Sequence, residues 1–343
     1  MRSSSLYSRG IGAVLLASLV LSAHSINATA AEWPEIVATA GKEGSVSLYT
    51  SLLPIQVERV NAAFAKAFPN IQLQVMRNTE NILTQRILQE QSVNAKGADV
   101  LISTNTDFID DQMAAGNVVK PTGKNVTAFA RTKFLYRDMA PVVASYYVVL
   151  AYNTDAAKKP PAQFSDVVDP SRDFVVGLTA VESGSGAALF YDVLRKDLPG
   201  YWEKLAKTSY KIYPGSVPLA QAVASGEVTV ALYGVPPALT PLIAKGAPIK
   251  VVSPSDARAV GGSFAAQILK NAKNPSAAQL LVDWLASPEG QLALNGDGLG
   301  MANSGSIPGT LAPKDFVILD SKVYDATRVK EINAEWRKVF GGK

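Results

Sequence analysis

Between Val46 and Gly116 the chain switches repeatedly between strand-like and helix-like apolar spacing, and this rhythm limits the fold more than any other feature. Val46–Tyr49 forms a short strand pattern, and Ile55 to Phe68 follows with Val57, Val60, Phe64 and Phe68 on one helical stripe. Ile71–Val75 alternates as a half-buried strand, and Ile82 to Glu90 has helical spacing. Ala98–Ile102 reads as a buried strand, and Asp107 to Ala115 as a helix stopped by Gly116. A β-α-β-α-β succession of this kind predicts a parallel sheet with helices on both faces.

A second α/β pattern follows. Pro141–Tyr152 is a long β-branched and aromatic run, suited to a strand that leaves one sheet and enters another. Val175–Leu178, a helix from Ala187, Trp202 to Lys207, Ala220 to Ala224, Val228–Leu232 and Ile249–Val252 continue the alternation. Ser263 to Leu269 then predicts a strand, and Pro275 to Leu285 a helix with Leu280, Leu281 and Leu285 facing inward. Two similar lobes joined by crossing strands account for this order economically.

The first thirty residues stand apart from the pattern. Arg2 and Arg9 precede an apolar run from Ile11 to Ala23, and Ala28–Ala30 offers the small-x-small site of a signal peptidase. We expect an exported, periplasmic chain cleaved after Ala30; an N-terminal membrane anchor is the competing reading. No later stretch reaches the ~18 uninterrupted apolar residues of a membrane span, and no Cys follows the run for lipid attachment.

Setting that segment aside removes His24, the single histidine, and the sequence has no Cys. Relay catalysis by Ser-His or Cys-His pairs loses its general base or nucleophile. Zinc and most transition metals lose their preferred ligands. No disulfide can staple the fold, so its cores must stabilise it; with 48% apolar residues, the roughly 310 that remain suffice for two domains. The formal net charge of +4 includes Arg2 and Arg9, and the basic residues are scattered, with no stripe suited to nucleic acid.

Thr179–Leu194, TAVESGSGAALFYDVL, runs from a small-residue turn into a helix. Free amides and the positive helix end make such a turn an anion cradle. It lacks the Lys-Ser/Thr ending of a P-loop and the spacing of a dinucleotide fingerprint. A plain helix cap is the alternative.

Taken in order, EGSVSLYTSLLP (43–54), GADVLISTNTDF (97–108), GSVPLAQAVASGEVTVAL (215–232), KGAPIKVVSP (245–254) and ILKNAKNPSAAQLLVDWLASPEGQ (268–291) resemble the extracellular solute-binding proteins of ABC importers. The likeness is closest to the ferric-ion-binding branch and its organic-anion and phosphonate relatives. It implies the type II periplasmic-binding fold, an α/β architecture of two Rossmann-like lobes with a hinge and an interlobe cleft. Residues 31–143 and 262–305 would form lobe 1, and 144–261 and 306–343 lobe 2, with crossings near Val142 to Tyr147, Val260 to Ser263 and Ser304 to Ile307. It also implies a monomer that hands a small solute to an inner-membrane permease, with no cofactor and no catalysis.

Open α/β sheets bind ligands beyond the C-terminal ends of their strands. Three loops fit that place: Tyr49–Ser51, with Thr50 and Ser51 as donors; Ser103–Asn105, with Ser103 and Thr104; and Ser183–Ala187 from the other lobe. In the ferric branch a Ser-Gly-Ala holds an anion, and Ser185, Gly186 and Ala187 match it letter for letter. Ser216 in YPGSVP is a weaker candidate. The ferric branch also carries two adjacent tyrosines where this chain has Pro236 and Pro237, so a phenolate-bound metal is not expected here. Tyr233 is either a cleft residue or a packed wall. Arg77 is either a bidentate partner for a carboxylate or phosphonate or a solvated arginine. Glu182 could answer an amine on the solute, and at most one of Tyr146 and Tyr147 can face the cleft. Tyr152 and Tyr191 read as core. The expected ligand is a small solute with an acidic group: a phosphonate, phosphate ester or carboxylate. A ferric ion bound without tyrosines and a secreted enzyme on the same fold are the alternatives.

Overall fold

The computed structural model describes residues 33–129, 134–296, 298, 300–310, 317 and 323–341. The expected leader and its cleavage site lie outside the described residues. The first lobe begins with α1 (Trp33–Glu43), β1 (Ser45–Thr50), α2 (Pro54–Ala67), β2 (Gln72–Arg77), α3 (Glu80–Ser92), β3 (Val100–Ser103) and α4 (Thr106–Ala114). It continues with β4 (Val118–Val119), α5 (Lys124–Phe129), β5 (Leu135–Tyr136) and β6 (Ala140–Tyr147). The second lobe runs through β7 (Val149–Asn153), α6 (Phe164–Val167), β8 (Val175–Thr179), α7 (Ser185–Asp197), α8 (Tyr201–Leu205) and β9 (Ser209–Tyr213). Next come α9 (Ser216–Ser225), β10 (Val230–Gly234), α10 (Pro236–Ala244) and β11 (Ile249–Val252). β12 (Gly261–Leu269), α11 (Pro275–Leu285) and α12 (Pro288–Asn295) return to the first lobe, and α13 (Ala326–Phe340) packs on α7 in the second.

Each lobe has its own sheet and core. The first sheet orders its strands β2-β1-β3-β12-β6-β5, with β4 also paired to β12; the second orders them β11-β7-β10-β8-β9. β1, β2 and β3 are parallel, as the alternating pattern predicts, and so are β10, β8 and β9. The predicted stripe of α2 delivers Val60 and Phe64 to the first core, where Phe64 meets Trp284 of α11 edge-on at 5.3 Å. In the second core Trp202, Phe190 and Tyr191 are fully buried, with the rings of Trp336 and Phe340 of α13 tilted against each other at 4.8 Å. Full burial of one such aromatic contributes about 2–3 kcal/mol.

The crossings are tight. β6 and β12 pair antiparallel up to Tyr147 opposite Gly261, and the Val148 amide donates to the Val260 carbonyl at 2.7 Å. Ala144–Tyr147, expected in the second lobe, therefore pair in the first sheet, and the change of sheet falls at Val148. An unbroken β-branched and aromatic run gives no mark of where its partner strand changes. Near the third crossing, Met301 donates to Ser145 (2.9 Å) and Gly309 accepts from Gly298 (3.1 Å), so this stretch keeps to the first lobe beyond the expected boundary. Val317 bridges Ala259 and Gly261.

Helix N-termini leave amides unsatisfied, and six of the thirteen described helices are closed by side chains. Asn105, Ser287 and Asp325 cap α4, α12 and α13. Three others take carboxylates from elsewhere in the chain. Glu43 accepts from Ser276 and Ala277 of α11, Asp283 from Asn125 and Val126 of α5, and Asp256 from Phe164 and Ser165 of α6, all at 2.7–3.2 Å. α7 and α9 begin at Gly184 and Gly215, and no side chain caps either.

Candidate functional site

A cavity of about 830 Å³ lies between the lobes, within the size range of small-molecule sites. Its first-lobe wall is made by the loops after β1, β2 and β3, and its second-lobe wall by the loops after β8 and β9 and by Tyr233 on β10. β6 and β12 form the floor through Tyr146 and Gly261–Ala265, and Tyr324 and Asn333 reach in from the C-terminal segment. Loops at the C-terminal ends of parallel strands thus converge from both lobes.

Ten of the eleven expected residues line this cavity: Ser51, Arg77, Ser103, Thr104, Ser183, Ser185, Gly186, Ala187, Ser216 and Tyr233. Thr50 does not. It is fully buried, and its Oγ1 accepts from the Leu52 amide at 3.1 Å, shaping the turn that presents Ser51. The alternation of side chains along β1 turns Thr50 away from the cavity as it delivers its neighbour.

The two walls differ in how their donors are used. On the second-lobe wall, the amides of Ser185 and Gly186 donate to no acceptor among the described residues; the first amide of α7 with a partner is Ala187, bonded to Gly184 at 3.0 Å. α9 repeats this with Ser216 and Val217, and Pro218 has no N–H to give. Two positive helix ends therefore face the cavity with their amides open. Glu182 lies beside them but is held by Arg337 of α13, whose Nε donates to its Oε1 at 2.5 Å.

On the first-lobe wall the Ser51, Ser103 and Thr104 donors are already engaged, although α3 also starts there without a side-chain cap. Glu80, the first residue of α3, turns its carboxylate onto the loops after β1 and β3. Its Oε1 accepts from Ser51 Oγ, from the Thr104 amide (3.0 Å) and from Thr104 Oγ1 (3.0 Å), and its Oε2 accepts from Ser103 Oγ. Arg77 lines the cavity, with its Nε donating to the Leu52 carbonyl at 2.7 Å. Sequence reasoning passed over Glu80, because an acid in a first helical turn is ordinary dipole chemistry and only the tertiary contacts give it another task.

Aromatic groups complete the floor and the far wall. Tyr146 lines the cavity, whereas the Tyr147 hydroxyl accepts from Ser253 outside it. Any Cβ at position 262 would come within 2.8 Å of the Tyr146 ring, so Gly262 is what lets that ring lie across β12. Burial, with the nearby Glu80 charge adding to it, pushes the Tyr146 phenol up to about 12. Tyr233 packs edge-on to Phe190 at 5.1 Å, and burial raises its phenol well above the ordinary value, with Tyr146 and Tyr191 contributing. Both are neutral phenols near pH 7, able to hydrogen-bond. Pro236 and Pro237 occupy the first turn of α10, where no phenolate can be offered. Among the described residues no group of three His, Cys, Asp or Glu is placed to hold a metal.

Residues 56–300 match the family model of the bacterial extracellular solute-binding proteins. This chain belongs to that family. The family is one of solute-binding proteins. The fold is the type II periplasmic-binding fold, shared with solved structures at low identity. The substrate-binding protein of an ABC transporter from Agrobacterium tumefaciens is 18% identical, with 88% of this chain and 96% of that one covered at a TM-score of 0.73. Iron-bound HitA from Pseudomonas aeruginosa is 19% identical, covering 85% and 99% at 0.64. The periplasmic binding protein AfuA from Actinobacillus pleuropneumoniae, with fructose-6-phosphate bound, is 19% identical, covering 88% and 99% at 0.61. At these identities the likeness establishes the fold alone. No curated protein matches the sequence.

Proposed function

We propose that this solute-binding protein works in the periplasm as the receptor of an ABC importer, after removal of its leader, and captures a small solute with an acidic group. A phosphonate, phosphate ester or carboxylate would sit on the open amides of α7, with Ser183, Ser185 and Ser216 adding hydroxyl donors. The carrying observation is the pair of uncapped helix starts that meet at the second-lobe wall. The chain closes the N-termini of α5, α6 and α11 with its own carboxylates and leaves α7 and α9 open where they meet the interlobe cavity. An acidic solute supplies there the anion that Glu43, Asp256 and Asp283 supply elsewhere.

Binding both walls favours the closed arrangement of the lobes, with β6 and β12 as hinge strands and an inner-membrane permease receiving the solute. The same amides would not favour a bare metal cation. Thermal-shift measurements on the mature protein against phosphonates, phosphate esters, dicarboxylates and ferric ion with phosphate test this reading. A ligand at a thousand times its Kd stabilises by about 4 kcal/mol. Stabilisation by acidic solutes supports it; silence across all four classes, or a response to ferric ion alone, overturns it.

A further inference from the structure

Glu80 changes what the first-lobe wall can recognise. Ser51, Ser103 and Thr104 form a ready nest for an anion, yet the nest already holds a carboxylate supplied by the chain. A solute anion could enter it only by expelling Glu80, and would then regain the same bonds while leaving a negative charge without partners. That exchange yields nothing, because hydrogen bonds to charged groups are the strong ones and an unpaired charge is costly to strand. The side chain is fixed by four donors and lines the cavity. A carboxylate offers about four acceptor positions; Oε1 takes three donors and Oε2 one, so Oε2 keeps capacity for another. Arg77 lines the same cavity, with its Nε held by the Leu52 carbonyl. Nearby, Tyr146 and Phe264, with ring centroids 6.1 Å apart, offer the aromatic surface that suits a cation.

We infer that the solute carries a cationic amine as well as its acidic group, the amine meeting Glu80 on the first-lobe wall and the acid meeting α7 on the second. This rests on the acidic-solute reading and narrows it to zwitterions. A metal ion is the poorer occupant of this pole. Glu80 has most of its acceptor capacity spent, and among the described residues no group of three His, Cys, Asp or Glu is placed to hold a metal. Opposite poles on opposite walls also explain how closure is driven, since each end of one solute is attracted to a different lobe.

The test begins with unaltered mature protein and matched pairs of ligands: short ω-aminoalkylphosphonates and ω-amino acids against the same acids lacking the amine, by isothermal titration. The amine-bearing member of a pair is expected to bind at least about tenfold tighter, the size of one charge-assisted hydrogen bond. Glu80→Gln is expected to bring the pair together by weakening the amine-bearing member by more than the plain acid. Plain acids binding as tightly as their amino counterparts would overturn the zwitterion and leave the acidic-solute reading standing. Tighter binding of plain acids by Glu80→Gln would do so as well, and would mean that Glu80 is a competitor the solute displaces. If no acid of either kind binds, both readings fall. A visible charge-transfer band on adding ferric ion with phosphate would replace the amine with a metal.

Discussion

The two walls of the cleft are built from the same materials, serine and threonine hydroxyls and strand-end amides, but they stand in opposite states. Ser51, Ser103 and Thr104 of the first lobe converge on Glu80 and are satisfied within the fold. The second-lobe amides at Ser185 and Gly186 have no partner among the described residues. A satisfied donor belongs to folding stability, and an open one belongs to binding. Truncating the first kind should be felt in the free protein, whereas truncating the second kind should pass unnoticed until a ligand arrives.

The largest expected effect comes from closing the open wall. Gly186→Asp would place a carboxylate in the first turn of α7, where a Cβ is tolerated at 3.4 Å from the Tyr233 hydroxyl. The variant should melt at or slightly above the wild-type temperature while its affinity for an acidic solute falls about 100-fold, roughly 2.7 kcal/mol. A melting temperature that falls with affinity intact would break the comparison.

Asp192 tests what holds that wall in place. It is fully buried in α7 and accepts from Arg195, Lys196, Arg328 and Tyr324, so it ties α7 to the C-terminal segment. Burial alone would raise its carboxyl, but Lys196, Tyr324 and Arg195 together hold it below the usual aspartate value. A lowered folded pKa contributes stability above the unfolded value, about 3.9, and that stability is lost as pH falls through the folded value. Asp192→Asn should therefore cost about 2 kcal/mol at pH 7 and progressively less below about pH 4. Urea denaturation of both proteins across that range measures the convergence, and parallel losses at every pH would exclude the ionic origin.

Ser103→Ala probes the satisfied wall. It removes one donor to Glu80 and the acceptor of the Asn105 amide (3.0 Å), so the free protein should lose about 1–2 kcal/mol in chemical denaturation. Ser216→Ala should be the mildest, with unchanged denaturation and a loss in binding below about 1 kcal/mol, because the α9 amides remain. Equal stability losses for Ser103 and Ser216 would erase the distinction between the walls.

Much of this was legible from residues alone. The strand and helix spacing of Val46 to Ala115 gave the parallel order of β1, β2 and β3, since a period of two or of 3.6 is a local property of the chain. The Ser/Gly turns before α7 and α9 could be read as open helix starts for the same reason. Other features were hidden. The change of sheet at Val148 leaves no mark in a run apolar throughout, and Thr50 cannot be told from Ser51 until the turn between them is seen. Glu80 was the main omission, because its partners Ser51 and Ser103 lie tens of residues away along the chain.

What the sequence determined by itself is the class of molecule: two α/β lobes, no cysteine or histidine chemistry in the body of the chain, and amide-rich turns suited to an anion. What only the tertiary structure decided is which of those turns remain open. Local spacing sets helices, strands and caps, but whether a donor is satisfied depends on a carboxylate that folding brings from a distant segment. Folding placed Glu80 on the donors of Ser51, Ser103 and Thr104 and left the first amides of α7 and α9 without a partner among the described residues.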